Sequence, residues 1–455
     1  MDDRPRSDRA VVLGGSIAGL LAARVLSEVF AQVTVVDRDD LADTAAPRRG
    51  VPQGQHIHAL MARGQQALEE LFPGLTGDLV ARGVPLIDPA GQARVFANGY
   101  HLMPADSGIR VLSASRPCVE AYLRRRVRSL PGVTFADQRD VIGLVTTPDR
   151  SRVVGARVVR RADSSSEEAL EADLVVDATG RGSRTPRWLG SLGYERPLEE
   201  RVSAGVGYAS GLFRLPDGAL GRDLAVLHAP SPARPRGAGL ALLEGGKWIV
   251  TLVGMTGDHP PVDRDGFLSF ARSLQYPDVH EAIRHAEPVS EPVPHRFPAS
   301  IRHRYDRVPR LPEGLVVMGD AVCSFNPIYG QGMTVAALEA LALRRHLAEQ
   351  GGLGRTRGLM RDLARVVDVP WDMAAGGDLA YPGVVGRRTA QVRVANAYLP
   401  RLHAAASSDS SLTVTFLRVA GMLDPPTALF RPDVVGRVLR GARRGRTESS
   451  VASHQ

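Results

Sequence analysis

The residues best equipped for chemistry lie in two glycine-rich turns far apart in the chain. The later turn falls within residues 314–340, GLVVMGDAVCSFNPIYGQGMTVAALEA. Its short apolar run, 315–318, is bounded by turn formers and predicts a buried strand. Gly319 and Asp320 follow at the strand's carboxyl end, where open α/β sheets bind ligands. Asn326 and Pro327 stiffen a loop, Gly330, Gln331 and Gly332 let backbone approach a ligand closely, and Met333 opens a helix. Loop amides at such a helix N-terminus stabilise negative charge. The earlier turn is GGSIAG, 14–19, between an apolar strand at 10–13 and a helix at 20–29. A second strand, 33–36, ends at Asp37, so the unit reads βαβ with a dinucleotide fingerprint. Gly14 permits the tight turn, and Gly19 permits close helix packing. The amides of Ser16, Ile17 and Ala18 would take a diphosphate, and Asp37 would take a ribose. Ser16 stands where a glycine is usual.

These elements, taken in order, resemble the motifs of FAD-dependent monooxygenases of the aromatic-hydroxylase fold. The resemblance implies that Asp320, beside Gly319, binds the ribityl chain, and that Pro327, Gly330, Gln331, Gly332 and Met333 line the flavin ring. It implies that Arg38 accompanies Asp37 at the cofactor. Within 47–60, PRRGVPQGQHIHAL, it points to Arg48 as a cofactor-holding arginine, with Arg49 second. Arg116, before a predicted amphipathic helix, matches another cofactor contact, and Val141 would lie near the adenine through its backbone. The stretch 177–190, DATGRGSRTPRWLG, resembles the family's third motif in altered form. There Asp177 and Gly180 are the expected cofactor contacts, and relatives use the region for NAD(P)H as well.

The fold expected is α/β: a Rossmann-like FAD-binding domain with an inserted antiparallel-sheet substrate domain and a helical C-terminal region. The expected boundaries are 1–200 and 306–350 for the FAD-binding domain, 201–305 for the substrate domain and 351–455 for the helices. Tyr208, Phe213, Trp248 and Phe297 are candidates for an apolar substrate wall. A polar loop is expected at 162–168, and Arg124, Arg125 and Arg126 predict a solvated helix face. His56 and His58 lack a visible third ligand, so a cavity-lining role is expected and no metal.

Composition bounds the alternatives. The chain has 455 residues, 44% hydrophobic and 23% charged, which suits a large globular core. The formal charge is +8, but the basic residues are scattered and nearly all arginine, so no nucleic-acid partner is expected. Two cysteines, Cys118 and Cys323, argue against a disulfide scaffold. No basic-then-apolar leader and no long uncharged apolar run are visible, which predicts a cytoplasmic protein without membrane contact.

The segment 48–74 and the helical C-terminal end narrow the resemblance to bacterial flavin epoxidases acting on polyene polyketides. That resemblance implies FAD reduced by NADPH or NADH, directly or through a partner reductase. Reduced flavin and O2 would form a C4a-hydroperoxyflavin that passes one oxygen to an alkene of a lipophilic small molecule. Hydroxylation of an aromatic or terpenoid ring and flavin-dependent double-bond reduction are the alternatives. Halogenation fits less well: the Trp-x-Trp-x-Ile-Pro segment is absent, and the only lysine, Lys247, falls in the expected substrate domain.

Overall fold

The computed structural model describes residues 9–350 and 355–441. Its centre is a parallel sheet of five strands in the spatial order Leu315–Val317, Leu174–Asp177, Arg9–Leu13, Gln32–Val36 and Val133–Ala136. Every neighbouring pair is parallel. Leu174–Asp177 and Leu315–Val317 are buried throughout, with other elements packed on the faces of the sheet. The helices Ile17–Leu26 and Gly332–Gln350 belong to the same core. Both glycine-rich turns therefore open at the carboxyl edge of one sheet.

A second, largely antiparallel sheet is built on the strands Val206–Arg214, Trp248–Gly254, Arg236–Leu242 and Ala225–His228. It also recruits Ala93–Ala97, which pairs in parallel with Ala225–His228, and Tyr100–His101 beyond it. Those two strands come from the part of the chain expected to belong with the first domain. The helices Arg264–Arg272 and Asp278–Ile283 cover one face of this sheet. The polar stretch expected as a loop is instead mostly strand, Asp163–Glu171, in a three-stranded antiparallel sheet with Arg139–Thr146 and Val153–Arg160. Glu167 and Glu168 are exposed, and the pairing shifts register between Asp163 and Glu167.

The C-terminal region carries the helices Thr356–Asp378, Ala390–Ala406 and Ser410–Ala420. Two of them run through an interior proline, Pro370 and Pro400, where a sequence reading would stop them. Among the described residues, no helix is long and apolar enough to cross a membrane.

The first turn depends on bare backbone. Gly14 has φ +103°, and a Cβ there would stand 2.4 Å from the Ala178 carbonyl oxygen. A Cβ on Gly19 would stand 1.7 Å from the Gly14 carbonyl oxygen, so the first helix can seat on the strand only with glycine there. Gly19→Ala should lower unfolding free energy by about 1–3 kcal/mol through overpacking. Gly77→Ala, on an exposed helix where a Cβ meets nothing within 4 Å, should be neutral or slightly stabilising. Urea unfolding of the two variants beside wild type reads both; equal stability of Gly19→Ala and wild type would refute the close-approach argument.

Candidate functional site

A cavity of about 2710 Å³ opens between the two sheets and the C-terminal helices. A pocket for one small ligand ordinarily takes ~300–1,000 Å³, so this space suits a large cofactor together with a second molecule. Of the residues expected at the cofactor, Gly14, Ser16, Ile17, Ala18, Asp37, Arg38, Arg48, Arg116, Val141, Gly180, Gly319, Asp320, Pro327, Gly330, Gln331, Gly332 and Met333 all line it.

Three others do not line it. Gly19 packs the helix against the turn, and Arg49 is exposed outside the cavity. Asp177 is fully buried and accepts from Thr179 N at 2.9 Å, Ser183 Oγ at 2.5 Å and Thr185 Oγ1 at 2.6 Å. It shapes the turn that carries Gly180 and presents no free oxygen to a ligand.

The first turn is ringed by paired charges. Asp37 accepts from Gly15 N at 2.6 Å and from Asp39 N at 2.8 Å. Burial raises its carboxyl, against the pull of Arg48. Arg48 donates to Asp37 at 3.3 Å, to Asp39 at 3.0 Å and to Glu120 at 2.7 Å, so its donors are already engaged. Arg116 differs: one donor reaches Ser16 Oγ at 3.1 Å, while its buried Nε has no hydrogen-bond partner. Compared with Arg48, Arg116 thus keeps donor capacity for a ligand. Arg124, read as part of a solvated face, is 2% exposed and donates to Glu120 and to the Ala42 carbonyl.

The second turn presents an acid and a helix end. Asp320 faces the cavity with no hydrogen bond or ion pair to any described residue. Enclosure raises its carboxyl, and Arg116 and Arg181 pull it back. Behind it, Glu339 accepts from Gly319 N at 2.7 Å, and burial pushes its carboxyl up to about 8. Asn326 Nδ2 and Tyr329 OH both donate to Asp378 Oδ1, at 2.8 and 3.1 Å, tying the loop to the helix Thr356–Asp378. Gly330 has φ +65°, and a Cβ on Gly332 would meet nothing within 4 Å, so the start of the helix Gly332–Gln350 is open. Beside it, Gln331 Oε1 is buried without a hydrogen-bond partner among the described residues.

These features fit FAD. A tight turn at an uncapped helix N-terminus suits a diphosphate, Asp37 lies at the end of the second strand, and Asp320 is an unpaired acceptor for sugar-like hydroxyls. A second helix N-terminus suits a ring system that gains negative charge on reduction.

The opposite wall is less polar. Tyr208 and Phe297 line the cavity, with the Arg181 guanidinium 4.3 Å from the centre of the Phe297 ring. Phe213 and Trp248 do not line it. Successive strand side chains alternate faces, so Tyr208 and Ser210 share one face and Phe213 takes the other. Trp248 is the direct cross-strand partner of Phe213, and Phe213 stacks on Phe267 under the covering helices. Phe213 is core, and the half-buried Trp248 packs against the same cluster.

Sequence reasoning missed a polar chain on this wall. Ile57 N donates to Thr251 Oγ1 at 3.0 Å, Thr251 and Ser210 hydroxyls are 2.6 Å apart, and Ser210 Oγ is 2.7 Å from His56 Nδ1. Burial lowers His56 to about 4 and His58 to about 3, so both cavity-lining rings are neutral at pH 7. It also missed Glu120 and Asp378. For Glu120 the signal was an acid spaced i+4 from Arg116 and i−4 from Arg124; for Asp378 there was none.

No family model matches the chain. It is 38% identical over 449 residues to protein Rv3254 of Mycobacterium tuberculosis, covering 95% of this chain and 93% of that protein. It is 29% identical over 373 residues to kynurenine 3-monooxygenase of Salinispora arenicola, covering 74% of this chain and 72% of that enzyme. Among solved structures, the flavin-dependent brominase Bmp2 superposes with a TM-score of 0.67 at 13% identity, covering 98% of this chain and 100% of that one. The p-nitrophenol 4-monooxygenase PnpA of Pseudomonas putida superposes with a TM-score of 0.66 at 17% identity, covering 92% of this chain and 99% of that one. The chain belongs to the family of the mycobacterial protein Rv3254, and its fold is that of flavin-dependent monooxygenases and halogenases.

Proposed function

We propose that this protein is an FAD-dependent monooxygenase that inserts one O2-derived oxygen into a lipophilic substrate, with epoxidation of polyene polyketide alkenes as its reaction. The observation that carries the reading is one cavity with a cofactor cradle on one side and a broad wall on the other, large enough for both occupants. Val95, Leu227, Val253, Phe297, Leu399 and Phe416 make that wall apolar. Such a wall takes a substrate by shape and excludes water from the reacting centre.

FAD, when bound, supplies the acceptance of reducing equivalents and the activation of O2. The residues supply placement. The first-turn amides and Arg116 would hold the diphosphate, Asp37 the ribose, and Asp320 the ribityl hydroxyls. The amides of 330–333, at the start of the helix Gly332–Gln350, would stabilise negative charge that collects on the reduced ring. Asp378 fixes that loop through Asn326 and Tyr329. Reducing equivalents come from NADPH or NADH, directly or through a partner reductase.

A second reading, hydroxylation of an aromatic or terpenoid ring, draws support from the polar chain ending at His56, which offers a substrate oxygen something to meet. Similarity to a kynurenine 3-monooxygenase favours the same reading.

Turnover in ¹⁸O2 with NADPH and candidate polyenes distinguishes the two. A substrate-dependent gain of one ¹⁸O at an alkene supports epoxidation, and gain on a ring supports hydroxylation. NADPH oxidation that yields only hydrogen peroxide or a saturated product with every candidate would refute monooxygenation.

Asp320→Ala should lower FAD affinity by tenfold or more, on the order of 1.4 kcal/mol or above, without unfolding the protein. Retention of full affinity in a flavin fluorescence titration would remove Asp320 from the cofactor site.

The Asp378 carboxyl is raised to about 6, burial outweighing the hydrogen bonds from Asn326 and Tyr329. Between about pH 4 and 6 the folded state therefore keeps a proton that the unfolded chain has released, and this group's contribution to stability falls as pH rises through that window. Asp378→Asn keeps an acceptor oxygen and loses the titration. Its stability relative to wild type should rise from pH 4.5 to pH 7 in urea unfolding; a constant difference would show that Asp378 does not titrate there.

A further inference from the structure

Ser16 departs from the glycine expected in the first turn, and the structure gives the hydroxyl a task. Ser16 is the N-cap of the helix Ile17–Leu26. A capping serine ordinarily accepts a hydrogen bond from an amide two or three residues on. Ser16 does not, so the amides of the first helical turn stay free. Its hydroxyl instead donates to Glu120 Oε2 at 2.7 Å and accepts from Arg116 at 3.1 Å.

Glu120 is the centre of this arrangement. It lies on the helix Arg116–Arg128 and is 3% exposed. Arg48 reaches it through Nε at 2.8 Å and through a second nitrogen at 2.7 Å. Arg124 reaches it at 3.2 Å, and Arg116 Nε stands 3.9 Å away. Burial acts to raise its carboxyl, but Arg48 and Arg116, with the Ser16 hydroxyl, hold it below the usual carboxylate range. Three guanidiniums and one hydroxyl thus converge on one carboxylate beside a helix N-terminus that nothing caps.

We propose that Glu120 and the Ser16 hydroxyl form a clamp that presets Arg116 and the uncapped amides of the first helical turn for the diphosphate of FAD, Glu120 acting as a positioning residue. The inference rests on the FAD reading above. Long arginine side chains lose rotamer freedom when they bind an anion, and ordering them beforehand removes that cost from binding. A serine hydroxyl turned toward Glu120 cannot compete with a ligand for the helix amides. Without Glu120, Arg48, Arg116 and Arg124 would be close, enclosed like charges with no common partner, which disfavours the arrangement the ligand needs.

The test is titration of the apoprotein with FAD, followed by flavin fluorescence, and with ADP by calorimetry, for wild type, Ser16→Gly, Ser16→Thr and Glu120→Gln. Ser16→Gly restores the glycine of the fingerprint, so motif resemblance predicts equal or tighter binding. The clamp predicts weaker binding of FAD and ADP alike, by about tenfold, with Ser16→Thr retaining affinity to within about twofold because it keeps the hydroxyl. Glu120→Gln should lose at least as much as Ser16→Gly. The unfolding midpoint of the Ser16→Gly apoprotein should fall only modestly, since the side chain caps nothing and Glu120 keeps Arg48 and Arg124 when the hydroxyl is lost. Unchanged FAD and ADP affinity in Ser16→Gly overturns the clamp, as do losses that simply track a lowered unfolding midpoint across the variants. Wild type that binds neither ligand overturns the FAD reading itself, and the clamp with it.

Discussion

Charge held away from water is the constraint on which this site depends. At the carboxyl edge of the parallel sheet, Arg48, Arg116 and Arg124 meet Glu120, Asp37 and Asp39 in a space with little solvent. An enclosed guanidinium or carboxylate is tolerated only when paired and hydrogen-bonded, and removal of one partner leaves the other stranded. The glycine turn, the strand end at Asp37 and the helix Arg116–Arg128 must therefore hold register together. Their positions are coupled electrostatically as well as by packing. That coupling explains how a turn made of bare backbone, with Gly14 at positive φ, keeps a defined shape.

The antiparallel wall obeys a different rule, parity along a strand. Val206–Arg214 is buried on both faces, because the cavity lies on one side and two helices on the other. Its residues show no apolar–polar alternation, so the face of each aromatic residue could not be read from the sequence. Tyr208 and Phe213 are equally buried, yet one borders the cavity and the other sits in the core with Trp248. A single register decides which residues a substrate would meet.

Legibility followed range. The two glycine turns and their flanking strands were readable because each packs its information into some twenty residues of local pattern. The recruitment of Ala93–Ala97 into the second sheet was not, since its partner Ala225–His228 is distant in sequence and parallel pairing leaves no hairpin signal. Arg124 misled for a related reason. An Arg-Arg-Arg run looks solvated unless one knows that Glu120 and the Ala42 carbonyl wait for one of the three. The helix through Pro370 persists because tertiary packing outweighs the local penalty, and it delivers Asp378 to the loop at Asn326.

The two glycine turns manage negative charge by opposite means. The first surrounds its space with arginines already balanced by acids, which suits a ligand whose charge is permanent. Among the described residues no cation is bonded to the second turn's loop, which relies on backbone, the open start of the helix Gly332–Gln350, and suits charge that comes and goes. Glu339 shows how closely that balance is kept. It lies behind Asp320, and burial with the neighbouring carboxylate pushes it up to about 8. At pH 7 it is therefore mostly protonated, which withdraws one negative charge from beside Asp320. Glu339 still accepts the Gly319 amide at 2.7 Å, so the turn keeps its shape without a second negative charge. Two ionised carboxylates side by side would repel each other and any anionic ligand in the cavity; a neutral Glu339 lets the turn keep its hydrogen bond without that repulsion.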